Sequence, residues 1–223
     1  MSELPDLDVL DADGAIRDCA EAAGLDRGDF LKKSVLAGGG LLAGSALFGT
    51  HLSTAEAAIS GRRSKRNDVR ILNYALTLEY LEAAFYKQAV ANDVAAGNAP
   101  LKDFAEVVAR HEAQHVSFLR NALGSAAVRS PRFDFASAVS DQATFAQTAQ
   151  VLEDTGVSAY LGQVRNIAQK GVLSAAGTIA TVEARHAAWI RYLNGATPAP
   201  ADFDRPRSER AVLRAVAGTG FIK

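Results

Sequence analysis

Apolar residues recur every three to four positions along four long stretches from Asn67 onward, the period of amphipathic helices. Glycine, asparagine and proline cluster at the breaks between them. The first predicted helix runs from about Asp68 to Asn92 and stops near "NDVAAGNAP". The second starts after Pro100, a residue suited to the first turn of a helix, and ends at Gly124. The third begins at Ser140 or Asp141, either of which can cap it, and runs to about Gln169. A fourth follows a short turn at Gly171 and stops at Asn194-Gly195. Short links make helices one and two, and helices three and four, antiparallel hairpins. The longer segment "SAAVRSPRFDFASAVS" crosses from one hairpin to the other. After Pro198, "ERAVLRAVAG" predicts a short packed helix.

Polar residues interrupt the apolar stripes in a repeated way. The second helix reads Phe104 or Val108, Glu112, His115, Leu119, Ala122 along its core face, and the fourth reads Ile179, Glu183, His186, Ile190, Leu193. Both put Glu-x-x-His where a bundle expects leucine. Buried carboxylates are costly unless they bind metal, pair with cations or stay protonated, and the repetition of "EAQH" as "EARH" favours metal. Helices one and three form a second matched pair, Leu78-Glu79 then Tyr86 and Leu152-Glu153 then Tyr160, with the same six-residue gap. The order Glu, Glu-x-x-His, Glu, Glu-x-x-His is a duplicated helical hairpin that supplies ligands for two hard cations. Four carboxylates nearly cancel the charge of two divalent ions, and an oxygen-rich set with two imidazoles suits iron or manganese better than structural zinc.

Several neighbours carry alternatives. Glu82 lies on an adjacent stripe and could replace Glu79 as ligand, although its counterpart in helix three is Gly156, so the repeat favours Glu79 and leaves Glu82 as an auxiliary carboxylate or the salt-bridge partner of an arginine. "HEAQH" also fits the H-E-x-x-H zinc protease pattern through His111, but the second copy has Val182 there and only Glu-x-x-His repeats. His111 then reads as a neighbour of the site or a surface residue. Tyr86 and Tyr160 can hydrogen-bond a bridging carboxylate or give up an electron in a redox reaction, or can simply fill the core. Trp189 and Arg185 read as structural, while Arg185 and Arg110 can alternatively balance the carboxylates.

Composition and charge bound the rest. With 223 residues and 48% apolar content, the chain can bury one good core. A net charge of -1 gives no reason to invoke nucleic acid, and the single Cys19 excludes an internal disulfide. Residues 1–57 read as an acidic arm and an export signal, in which "FLKKSVLAGGGLLAGSALFG" has signal-peptide length and Ala55-Glu56-Ala57 offers a cleavage site. "DRGDFLKK" resembles a twin-arginine export motif, with Gly28 in place of the second arginine. Residues 58–66, including "GRRSKR", form a basic linker, residues 67–200 the bundle and residues 201–223 a C-terminal extension. The expected location is the periplasm or cell envelope, with membrane contact only through an uncleaved signal, or the cytoplasm if the signal does not work.

The chain resembles the bacterial ferritin-like proteins related to plant desiccation-associated proteins through "ILNYALTLEYLEAAFY", "HEAQHVSFLRNALG", "VEARHAAWIRYLNG" and "FDRPRSERAVLRAV". The resemblance implies an all-α, ferritin-like four-helix bundle, two hairpins with a long crossover, plus a short C-terminal helix. It implies two iron ions, or manganese, held by Glu79, Glu112, His115, Glu153, Glu183 and His186, with Glu79 and Glu153 terminal and Glu112 and Glu183 bridging. The function it implies is a di-iron oxidoreductase of ferroxidase type, or a manganese-dependent peroxidase or catalase, acting on dioxygen or peroxide with an electron donor and serving stress handling. The alternative is a non-catalytic stress-related structural or binding protein whose metals staple the helices. A homodimer is compatible with either.

Overall fold

The computed structural model describes residues 59–223, so the acidic arm, Cys19 and the export signal lie outside the described residues. Five α-helices follow: α1 (Lys65–Ala91), α2 (Ala99–Leu123), α3 (Gln142–Gln163), α4 (Lys170–Leu193) and α5 (Glu209–Thr219). Helices α1 and α2 pack as one hairpin and α3 and α4 as the other, giving the expected four-helix bundle with a long crossover and a short C-terminal helix. No helix among the described residues is long and apolar enough to cross a membrane.

Local chemistry sets the helix ends. Asn98 caps α2 by accepting from the Leu101 N–H, with Pro100 in the first turn, and Asp141 rather than Ser140 caps α3 through the Thr144 N–H. Ser64 caps α1, so this helix begins at Lys65 rather than near Asp68, and the last two residues of the basic linker belong to its first turn.

The junction between α3 and α4 departs from the pattern reading. Helix α3 ends at Gln163 instead of Gln169, a single 3-10 turn covers Val164–Asn166, and Gly171 lies inside the first turn of α4. The cause is distant in sequence. The fully buried carboxylate of Asp68 in α1 accepts hydrogen bonds from the Ala168 N–H at 2.8 Å and from the Gln169 N–H and side-chain amide at 3.0 Å. Asp68 thus satisfies the amides just before α4 from another helix, while Gln169, at the N-cap position, makes no side-chain cap of its own.

The C-terminal extension ties down the crossover. Phe133 pairs with Ile222 in an isolated bridge, the Phe221 carbonyl accepts from the Asp134 N–H, and the Lys223 N–H donates to the Arg132 carbonyl. Phe135 is buried against Phe85 and Phe221. Just before α5, the Arg207 N–H donates to the Ser158 carbonyl of α3 at 3.0 Å. Here the chain passes so close to α3 that a Cβ on Gly162 would stand 1.9 Å from the Arg207 carbonyl oxygen, which excludes any larger residue.

Two apolar clusters fill the bundle. Phe85, Tyr86, Phe104, Phe145 and Ile190 lie in one, and Leu72, Leu76, Leu119, Leu123 and Ile179 in the other. Each long helix runs from one cluster to the other and carries its acidic core residues where it passes between them.

Because Asp68 links α1 to the start of α4, Asp68→Ala is expected to lower the unfolding free energy by about 2–3 kcal/mol in denaturant titration. Asp68→Asn, which keeps one acceptor oxygen, is expected to lose less.

Candidate metal centre

Between the two apolar clusters, each long helix contributes acidic residues to one buried layer. Helix α1 brings Glu79 and Glu82, α2 Glu112 and His115, α3 Glu153, and α4 Glu183 and His186. Glu79, Glu112, Glu153 and Glu183 are 0% exposed, and His115 and His186 are 9% and 2% exposed. The three-residue spacing in α2 and in α4 puts each Glu and His on one helix face, which turns both pairs inward.

The six predicted ligands fall into two overlapping groups, Glu79, Glu112, His115 and Glu183, and Glu112, Glu153, Glu183 and His186. In the first, His115 Nδ1 lies 3.1 Å from Glu79 Oε2, 3.2 Å from Glu112 Oε2 and 3.0 Å from Glu183 Oε1. In the second, His186 Nδ1 lies 3.2 Å from Glu112 Oε1, 3.4 Å from Glu153 Oε2 and 4.0 Å from Glu183 Oε2. Glu112 and Glu183 belong to both groups, and each turns one oxygen to one group and its other oxygen to the other.

These donors fit a pair of cations. One ring nitrogen carries at most one proton, so His115 Nδ1 cannot hydrogen-bond all three carboxylates around it. Glu183 Oε1 indeed makes no hydrogen bond despite its proximity. In the second group, Glu112 Oε1, Glu153 Oε2, Glu183 Oε2 and His186 Nδ1 are all buried without a hydrogen-bond partner. Each group's donor atoms lie within 4.8 Å of one another. An octahedral ion with ligands at about 2.1 Å sets neighbouring ligand atoms about 3 Å apart and opposite ones about 4 Å apart. A cation in each group would satisfy that group's orphaned atoms with geometry close to what is already present, and the oxygen-rich donor set suits iron or manganese.

The electrostatics of the acidic and imidazole groups point the same way. Burial raises the proton affinity of Glu112 and Glu183, and neighbouring carboxylates raise it further, Glu79 first for Glu112 and Glu112 first for Glu183. Burial opposes charge on His115 and His186, yet the carboxylates set close around each ring, Glu112 first for His115 and Glu153 first for His186, overcome it and push both upward. Burial also opposes charge on Glu79, but its hydrogen bond to His115 leads the effects that bring it below the ordinary range. Without cations, the layer therefore holds its charge in check with protons.

The surrounding residues are placed as follows. The Tyr160 hydroxyl donates to Glu79 Oε1 and the Tyr86 hydroxyl to Glu153 Oε1, both at 2.5 Å. The tyrosines thus hold the unshared carboxylates, not the shared ones, and each reaches across to the other hairpin. His111 is neither remote nor part of either group: its Nδ1 lies 2.9 Å from His186 Nε2 and the rings stack at 5.1 Å. If His186 Nδ1 faces a cation, its Nε2 carries the proton and donates to His111. Burial and the charges of His186 and His115 lower the pKa of His111. Glu82 is buried but belongs to neither group, and burial followed by Glu183 and Glu153 raises its proton affinity.

Arg110 and Arg185, offered by the sequence as counter-charges, are exposed, and Arg110 donates to the Glu106 carbonyl one turn back. The ion-pair partners of Glu79, Glu112, Glu153 and Glu183 are His115 and His186. Trp189, half-buried, packs edge-on against the core residue Phe104. Two features had no reading in the single-helix pattern, the His111–His186 contact and the space at Gly156 that accommodates Glu82. Their signal was present as the positions where the duplicated hairpin fails to repeat, His111 against Val182 and Glu82 against Gly156.

No curated protein matches the chain significantly. The model of the ferritin-like domain family matches residues 67–196, more than half of the chain and all four helices that build the acidic layer. Duplicated hairpin, bundle and family match agree, and the chain belongs to the ferritin-like domain family.

Proposed function

We propose that this protein binds two iron ions, with manganese as the alternative, and uses them as a ferroxidase-type oxidoreductase on dioxygen or peroxide in iron, oxidative or desiccation stress. The observation that carries this reading is the sharing of Glu112 and Glu183 between two complete donor groups. A single structural ion needs no such sharing. When bound, two redox-active ions supply electrons to dioxygen or peroxide and Lewis acidity toward its oxygens.

The chain's own residues do the rest. Glu112 and Glu183 fix the spacing of the two positions, and Glu79 and Glu153 close them at either end. Tyr160 and Tyr86 lock the unshared carboxylates in orientation, and their place beside the site suits them as electron donors. The apolar clusters on both sides exclude bulk water. The export signal read in residues 1–57 supports work in the periplasm or cell envelope, with an electron donor there and a homodimer as the working assembly.

A second reading, a metal-stapled bundle of structural function, draws on the same geometry, because each donor group takes residues from both hairpins. Elemental analysis followed by anaerobic ferrous loading and an air pulse separates the two. The oxidoreductase reading expects two irons per chain and rapid oxidation seen by absorbance, while tightly held ions without oxygen or peroxide chemistry favour the staple.

Glu112→Ala combined with Glu183→Ala is expected to abolish binding of both ions, measured by elemental analysis. Retention of two ions per chain at unchanged affinity would overturn the site.

The proton inventory yields a pH prediction. Glu82, Glu112 and Glu183 hold protons above their ordinary value of 4.5, and His115 and His186 above 6.5, with Glu79 and His111 opposing. The metal-free fold therefore binds more protons than the unfolded chain. Its stability from these groups is full at low pH and declines as pH rises past each unfolded value toward the raised folded ones. Metal binding displaces the same protons and strengthens with pH. Scanning calorimetry from about pH 5 to about pH 8 is expected to show a falling melting temperature in chelator and a widening gain on adding metal.

A further inference from the structure

The repeat that builds the acidic layer is broken at two positions, and both breaks fall on the same side. His111, whose counterpart is Val182, contacts His186. Glu82, whose counterpart is Gly156, sends its carboxyl into the space beside that glycine: a Cβ on Gly156 would lie 3.2 Å from Glu82 Oε1 and 3.8 Å from Glu82 Oε2. The same point is 3.4 Å from Glu183 Oε2, the oxygen that Glu183 turns toward His186. Gly156 also sits one turn beyond Glu153 in α3. A glycine inside a helix costs about 1 kcal/mol relative to alanine, so its presence in mid-α3 calls for a reason. The reason is room for the Glu82 carboxyl, which is 3% exposed.

We propose that Glu82 is a fifth carboxylate of the centre, serving the Glu153–His186 position only, so that the two metal positions are inequivalent and this one fills first. The inference rests on the di-metal reading above and specifies its internal order. The Glu79–His115 position has two shared and one unshared carboxylate with one imidazole. The Glu153–His186 position has the same set, with an imidazole whose far nitrogen is held by His111; Glu82 lies outside the donor group but beside Gly156 and Glu183 Oε2, from where its carboxylate, once deprotonated, would add a further oxygen donor. An added carboxylate strengthens attraction for a divalent cation in this dry layer, and a partner on the outer nitrogen fixes the ring for coordination. Gly156 is the positioning residue, because it leaves the volume through which Glu82 approaches.

The test is titration of the full-length, metal-free chain with Mn²⁺, followed by calorimetry and by electron paramagnetic resonance of the free ion. The wild type is expected to bind two ions in two resolved steps. Glu82→Gln is expected to weaken the tighter step about 10- to 100-fold and leave the weaker step in place. Gly156→Ala, which keeps the carboxyl but crowds it, is expected to weaken the same step to a smaller degree. Circular dichroism of each metal-free variant verifies that the helices remain. Placement on the His186 side is read by a double-mutant comparison: the effect of Glu82→Gln is expected to persist in His115→Ala and to vanish in His186→Ala.

Two equal steps in the wild type, or unchanged steps in both Glu82→Gln and Gly156→Ala, would overturn this inference while leaving the di-metal centre standing. Persistence of the effect in His186→Ala would overturn the placement of Glu82. A wild-type chain that takes up no Mn²⁺ or Fe²⁺ would overturn the di-metal reading and this inference with it.

Discussion

Five carboxyl groups buried in one layer are the constraint around which this molecule is organised. Four of them are wholly inaccessible and the fifth nearly so. An uncompensated charge in such surroundings costs several kcal/mol after relaxation, so the layer must hold protons, cations or both. The apolar clusters above and below it stabilise the bundle by ordinary burial. The layer between them works against that gain unless its charge is balanced. A rigid frame is therefore required, and it is built from contacts far apart in sequence: Asp68 on the amides before α4, Tyr86 on Glu153 and Tyr160 on Glu79.

The two tyrosines show how duplication became a single unit. Each hairpin carries the same Leu-Glu and Tyr spacing, yet neither tyrosine serves the glutamate of its own helix. The hydroxyl of α1 holds the carboxylate of α3 and the hydroxyl of α3 holds that of α1. The pseudo-twofold relation between hairpins thus appears as a pair of crossed hydrogen bonds. The departures from the repeat are as informative as the repeat itself. Val182 and Gly156 are smaller than their counterparts His111 and Glu82, and in the case of Gly156 the missing side chain is the space the larger counterpart uses.

The bundle and its acidic layer were legible in the sequence because both are written in one-dimensional periodicity. A Glu-x-x-His on an otherwise apolar stripe must face inward, and four such interruptions on four helices must meet. The rest depended on contacts between helices, which periodicity does not encode. Helix α3 stops at Gln163 because Asp68, about a hundred positions earlier, draws on the amides that follow. Gly162 gives way to the Arg207 backbone, a contact that no local pattern announces. In the repeat, Gly156 favours Glu79 over Glu82 as the ligand, since helix three offers no second copy of Glu82. In three dimensions the relation is complementary, because both residues share one volume.

The division of donors between hairpins links the site to the fold. Hairpin α1–α2 supplies Glu79, Glu112 and His115 but lacks Glu183, and hairpin α3–α4 supplies Glu153, Glu183 and His186 but lacks Glu112. Neither hairpin can complete a group alone. Cations that bind here necessarily draw the two hairpins together, and their binding free energy becomes free energy of hairpin docking. Docking in turn removes the layer from water, which strengthens each carboxylate's hold on the cation. Turnover and stapling are thus two uses of one coupling. Both would act through Glu112 and Glu183, the carboxylates that the two donor groups share and that come from opposite hairpins.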